Sequence, residues 1–252
     1  MIVKPALAAM LASGLIVPET QKLVLPKPAI VKAENLEFTR HILLGMPLTM
    51  GMLAAKNRTP VTATYTGAIT STTNALSYSL TLPIGTASAD RYIVVAIFIP
   101  SGGVPSGVTI DGVAAVTSTT GIYISASPVT TGTTTTVAVT CQTTADQCLM
   151  YGYSLVGSRP VTRNTAFNLT LNGTMTVNTI AGGCVIAGTR TNANAATTSW
   201  SVLTARNTQS LESTNTYSTA SENYTTFQTI VIDDNWSAGT SQVRAAASYG
   251  PA

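Results

Sequence analysis

The chain has 252 residues, 45% of them hydrophobic and only 9% charged, with a formal net charge of +3, whereas soluble domains carry about 25% charged residues. Such a length supports a real hydrophobic core without disulfides or metals. The small positive excess, with no basic stripe interleaved with aromatics, excludes nucleic-acid binding as the main activity. Thr, Ser and Asn replace charge in keeping the surface wet, as in residues 133–136 and 192–200. A β-branched Thr favours strands and offers water a hydroxyl from a pleated face.

Charge placement divides the chain in two. All five lysines (Lys4, Lys22, Lys27, Lys32, Lys56) fall early; residues 1–58 carry a net +4 and residues 59–252 a net −1. We therefore expect an extended N-terminal docking arm at 1–58 and a β-sandwich domain at 59–252. Residues 1–17 imitate a secretory leader, with Lys4 ahead of the apolar stretch 6–17, yet we expect them to be retained as part of an anchor. The apolar run 42–55 is interrupted by Pro47 and is too short for about 30 Å of hydrocarbon, so no membrane span is expected.

Prolines at positions 5, 18, 26, 28, 47 and 60 remove backbone donors and push the residues before them toward extended conformations. The strings VKPALA (3–8) and PKPAIV (26–31) read as two copies of one docking element, and Leu36, Arg40 and Leu43 suit a short helix within 33–44. Leu23, Leu25, Pro26, Pro28, Ile30, Leu43, Leu44 and Met46 are the expected docking residues. An apolar segment with so little periodicity calls for a covering partner; the alternative is that it wraps its own β domain.

From Val61 onward, short strand-like runs alternate with turn residues, the pattern of an antiparallel β sandwich, Ig-like or jelly-roll-like. Residues 76–82 alternate, with Leu76, Tyr78, Leu80 and Leu82 on one face, and 135–141 alternate through Val137 and Val139. Residues 92–99 form a nearly continuous apolar run, as in a strand covered on both sides, and 148–156, 183–188 and 225–232 supply further strands. Asp111-Gly112 and Asn172-Gly173 both suit two-residue type I′ hairpins. No helix signal follows residue 60.

Groups able to do chemistry are sparse. The one histidine, His41, lies in the arm, and no G-x-S-x-G string accompanies it. Cys141 and Cys148 flank the loop 142–147 and could pair across a hairpin, while Cys184 reads as a buried thiol. Asp233-Asp234 reads as a solvated turn rather than a Ca²⁺ site. Nothing marks a glycosidase cleft around Asp111, Asp146, Glu212 or Glu222. Tyr151, Tyr153, Trp200 and Trp236 read as core or edge residues rather than a carbohydrate platform. We expect no catalytic residue, no cofactor and no metal.

The segments GTASADRYIVVAIFI (85–99), VTIDGVAAV (108–116), IYISASPVTTGTTTTVAVT (122–140), QCLMYGYSLVG (147–157) and AGGCVIAG (181–188) follow one another in a recognisable order. Together they resemble a β-sandwich module of structural proteins of tailed phages, especially those infecting alphaproteobacteria. There a strand follows an acidic-Arg pair, here Asp90-Arg91, then an "IDG" hairpin, then a Pro- and Gly-containing Thr-rich turn. The resemblance implies a non-enzymatic virion subunit, located in a tail or neck fibre or as a capsid decoration. Its expected partners are other virion proteins through residues 1–58, copies of itself and a host surface glycan; no nucleic acid is expected. A bacterial surface adhesin or pilus-like subunit is the alternative.

Overall fold

A strand covered on one face alternates polar and apolar residues, whereas a strand covered on both tends to be apolar throughout, and several strands of this chain show that contrast. The computed structural model describes residues 58–100, 105–170, 173–211, 215–239 and 242–252. These belong to one unit, Arg58–Ala252, whose regular elements are all strands. The first half contains β1 (Thr62–Ser71), β2 (Ala75–Pro83), β3 (Tyr92–Phe98), β4 (Pro105–Ile110), β5 (Val113–Ala114), β6 (Val116–Thr119), β7 (Ile122–Ile124), β8 (Thr134–Ala145) and β9 (Cys148–Val156). The second contains β10 (Ser158–Asn168), β11 (Thr174–Thr179), β12 (Gly183–Thr191), β13 (Thr198–Trp200), β14 (Thr204–Leu211), β15 (Asn215–Tyr224), β16 (Gln228–Trp236) and β17 (Gln242–Pro251).

These strands build four antiparallel sheets: β2-β8-β4-β5, β1-β9-β3-β7-β6, β10-β17-β12-β15-β14 and β11-β16-β13. The sheets stack in that order, as the alternation along β3 demonstrates. Ile93, Val95 and Ile97 pack with Tyr78, Leu82, Val137 and Val139 of the first sheet. Val94, Ala96 and Phe98 point the other way, into a core shared with Cys184, Ile186, Tyr217 and Tyr249 of the third. On β12, Val185 and Ala187 join Met175, Val177, Ile230 and Ile232 against the fourth. The expected antiparallel β sandwich is therefore present twice, with a middle core joining the two. Inner strands β3, β9 and β12 supply the continuous apolar runs, and outer strands β2 and β8 supply the alternating ones. Leu76 departs from the expected face: it sits at a register shift between Ala75 and Ser77 and stays exposed.

The two sandwiches share one topology. The order β1-β9-β3-β7-β6 maps term by term onto β10-β17-β12-β15-β14, and β2-β8-β4 onto β11-β16-β13. The bulges repeat as well. β1 slips against β9 between Tyr65 and Gly67 as β10 slips against β17 between Thr162 and Asn164, and β6 and β14 each slip against their inner neighbour. Because bulges re-aim side chains at fixed points of a ladder, these matches align residues: Tyr153 corresponds to Tyr249, Val94 to Cys184, and Phe98 to Gly188. The inner sheets meet about a pseudo-twofold axis, with β3 against β12 and β6 against β10. The matching contacts of β1 with β12 and of β10 with β3 fit that relation. Both aligned tyrosines cross the seam, Tyr153 to Thr219 at 2.6 Å and Tyr249 to Ser118 at 2.9 Å.

The symmetry is broken where it would cause a clash. A Cβ on Gly188 would lie 2.7 Å from Cζ of Phe98, whose ring is wedged between Tyr151 and Tyr217. Replacing Gly188 with Leu is expected to cost about 3 kcal/mol by overpacking. Phe98→Ala in the same chain should recover part of that loss, giving a favourable coupling of about 1–2 kcal/mol in a double-mutant cycle read by urea denaturation. Strict additivity would show that the two residues do not share this space.

One of the two expected hairpins is present. Ile110 pairs with Val113 across Asp111 (φ 55°) and Gly112 (φ 75°), as a type I′ turn demands. The other is a correction: β10 and β11 belong to different sheets, so the chain near Gly173 turns a corner between layers. Asn168 folds that corner, accepting from Thr170 N at 2.6 Å and donating to Thr174 O at 3.0 Å. A Cβ at Gly173 would meet Asn168 Nδ2 at 2.8 Å and Arg244 Nη1 at 3.2 Å. Val at either glycine should destabilise by at least about 1 kcal/mol, through positive φ at 112 and through crowding at 173. Asn, which tolerates positive φ, should restore most of the loss at 112 and none at 173 in the same denaturation assay.

Candidate functional site

The expected docking residues Leu23, Leu25, Pro26, Pro28, Ile30, Leu43, Leu44 and Met46 lie outside the described residues, as do His41 and Glu212. The site is therefore sought in residues 58–252, starting from the groups best able to do chemistry.

Arg91, at the mouth of β3, is fully buried. Its Nε donates to Val129 O at 2.8 Å and Nη1 to Gly85 O at 2.9 Å and Ile84 O at 3.4 Å. Nη2 donates to Thr131 O at 2.7 Å and Gly132 O at 3.0 Å. The guanidinium is thus clamped between two loops by backbone dipoles, and burial lowers its pKa. Neighbouring Asp90 binds elsewhere, accepting from Ser88 Oγ at 2.7 Å and from Gly157 N at 2.9 Å. Those bonds hold its carboxyl below the usual range, Ser88 contributing most.

Asp234 is a second correction. The residue expected in a solvated turn lies within β16, because Ile230, Ile232, Asp234 and Trp236 continue one inward face. Its Oδ1 is 2.6 Å from Arg244 Nε, both side chains fully buried, in ion contact though off the line of a hydrogen bond. Oδ2 accepts from Trp236 Nε1 at 3.0 Å. Arg244 Nη2 donates to Asp234 O at 2.9 Å, and Nη1 donates to Gly173 O. Burial raises the Asp234 carboxyl above its ordinary value, opposed by Thr189, Arg244 and Trp236. The second acid, Asp233, stays partly exposed.

Cys141, Cys148 and Cys184 are free thiols, all buried. No hairpin joins the first two: β8 belongs to the first sheet and β9 to the second, so the chain crosses the sandwich between them. Burial pushes Cys148 and Cys184 from 9.0 up to about 12. An unfolded thiol ionises near 9.0 while the folded one keeps its proton, so these groups contribute stability that is complete below that pH and lost toward pH 12. The stability read by urea denaturation should fall between pH 8.5 and 10.5 by about 2 kcal/mol per affected thiol, and Cys184→Ala should flatten that fall. A pH-independent midpoint would contradict the burial of these thiols.

Tyr151, Tyr153 and Trp236 are buried, and Trp200 is half-buried with its Nε1 donating to Ser218 at 3.0 Å. They are core and edge residues, as expected, and form no platform. Of the remaining acids, Asp111 accepts from Thr135 at 3.4 Å and Glu222 from Thr204 at 2.6 Å. No three His, Cys, Asp or Glu side chains converge as metal ligands among the described residues. No helix among them is long and apolar enough to cross a membrane.

The two outer sheets present polar faces to solvent. Ser77, Ser79, Thr81, Thr134, Thr136 and Thr140 are exposed on the first, and Thr174, Thr176, Asn178 and Thr229 on the fourth. Thr229 donates to Asn178 Oδ1 across the ladder at 2.9 Å. These faces offer closely spaced hydroxyls and amides, suited to hydrogen-bonding a polar surface. Comparison with protein-family models, curated proteins and solved structures finds no match for this chain.

Proposed function

We propose that this chain is a structural subunit of a bacteriophage particle, held by residues 1–58 and displaying its β domain at the virion surface as part of a tail or neck fibre or as a capsid decoration. The observation that carries the reading is the way polar chemistry is spent. Arg91, Asp234 and Arg244 are committed to holding loops and strands, while hydroxyl-lined sheets face outward. A stack of two fused sandwiches is a rigid spacer with two display faces, and it acts through the surface it presents and its copy number. It performs no chemical step of its own in this reading, and a host surface glycan is the ligand those faces suit.

Quantitative mass spectrometry of purified particles of the virus encoding the chain tests the proposal. We expect a fixed number of copies per particle and antibody labelling at one station. Absence from particles, with the protein instead found on the bacterial surface, would replace this reading with the adhesin.

A further inference from the structure

At one end of the seam between the sandwiches, a cleft of about 380 Å³ opens between the ends of β3 and β10. Its walls are apolar: Phe98 and Ile99 from β3 and its exit, Phe167 and Leu169 from β10 and its exit, and Val243 from β17. Phe167 and Leu169 remain 41% and 62% exposed. The volume falls within the range of small-molecule sites, about 300–1,000 Å³.

One charged side chain stands in this wall, Arg190 of β12. Strand alternation puts it there, since Cys184, Ile186 and Gly188 face the middle core and Arg190 is the next residue in step. Unlike Arg91 and Arg244, it keeps its Nε buried without a hydrogen-bond partner and has no ion pair with a carboxylate among the described residues, although the hydroxyl of its cross-strand neighbour Tyr217 favours its charge. Apolar walls strip water from the guanidinium, and burial lowers its pKa accordingly. A half-desolvated cation is costly until an acceptor reaches it.

We propose that this cleft binds a free unbranched aliphatic carboxylate of the medium-chain fatty-acid type. The hydrocarbon lies along Phe98, Phe167 and Leu169, and the carboxylate accepts from the Arg190 guanidinium in the two-pronged geometry that Arg favours. The inference is independent of the particle assignment, since it concerns the folded unit in solution. Calorimetric titration of the full chain with dodecanoate tests it. One saturable site is expected, and dodecanol, which lacks the charge, should bind at least about tenfold more weakly. Arg190→Gln should weaken dodecanoate binding by at least about tenfold, Arg190→Lys should retain part, and Arg163→Gln, at an exposed arginine of β10, should change nothing. Variants are compared only where the β circular-dichroism signal and melt match the parent; the dodecanol comparison needs no variant. Absence of saturable binding, equal affinity for alcohol and acid, or full binding by folded Arg190→Gln would overturn the proposal. Binding of anionic phospholipid vesicles without binding of free dodecanoate would overturn it in favour of a membrane surface.

Discussion

Replacing Arg91 with Met is expected to destabilise the β unit by about 3–5 kcal/mol, a loss on the order of 10 °C in melting temperature for a unit of this size. Methionine matches the length of the stem but donates nothing, leaving the carbonyls of Val129, Gly85 and Thr131, now bonded at 2.7–2.9 Å, to find water or go without. Hydrogen bonds from a charged donor are worth about 1.5–3 kcal/mol each, and a buried acceptor left unpaired costs a similar amount. Arg91→Lys should recover little, because an ammonium is a point donor and cannot span five carbonyls from two loops. Thermal denaturation followed by circular dichroism reads the effect, and proteolysis should begin near residues 129–132. A lysine variant as stable as the parent would show that charge, and not the planar fork, holds the loops.

Breaking the Asp234–Arg244 pair should be as damaging and should carry a distinct signature. Asp234→Leu or Arg244→Met each strands a fully buried charge and should cost about 3–5 kcal/mol. The combined change Asp234→Leu with Arg244→Met strands none and should cost clearly less than either single change. Arg244 also donates to Gly173 O and Asp234 O, so some loss persists in the double variant. Urea denaturation of the four proteins gives the cycle. If the double variant loses the sum of the single losses, the two side chains act independently and the pair is not the unit of stabilisation.

Strand alternation made much of this fold readable from the amino acids. The alternation in 76–82 and 135–141 and the continuous runs at 92–99 and 148–156 separate outer from inner strands, and Asp111-Gly112 marks its turn. Arg91 and the Thr-rich turn near Gly132, far apart in the chain, meet in space through the Arg91 guanidinium. What stayed hidden was the duplication. Phe98, Leu149 and Tyr151 of one half face the middle core where Gly188, Ala245 and Ala247 stand in the other. Large side chains opposite small ones fill the core but erase the repeat from the sequence. Asp234 was missed because two acids after an apolar strand suggest a turn, although the step of two from Ile230 through Ile232 to Trp236 runs through it. Asn172-Gly173 misled for a related reason: a hairpin dipeptide says nothing about which sheet the next strand joins. The docking candidates lie between Leu23 and Met46, outside the described residues. Nothing in the sequence singled out Arg190, whose role depends on a seam between strands far apart in the chain.

The most direct test of a displayed β unit held by an N-terminal arm is the occupancy, in purified particles, of a chain beginning at Arg58 compared with the full chain, measured by quantitative mass spectrometry. The shortened protein should be soluble, melt cooperatively with an intact β circular-dichroism signal, and be present in particles only at background. Incorporation at the level of the full chain would contradict the assignment of docking to the arm, and aggregation with loss of the β signal would show that the arm wraps and completes its own domain.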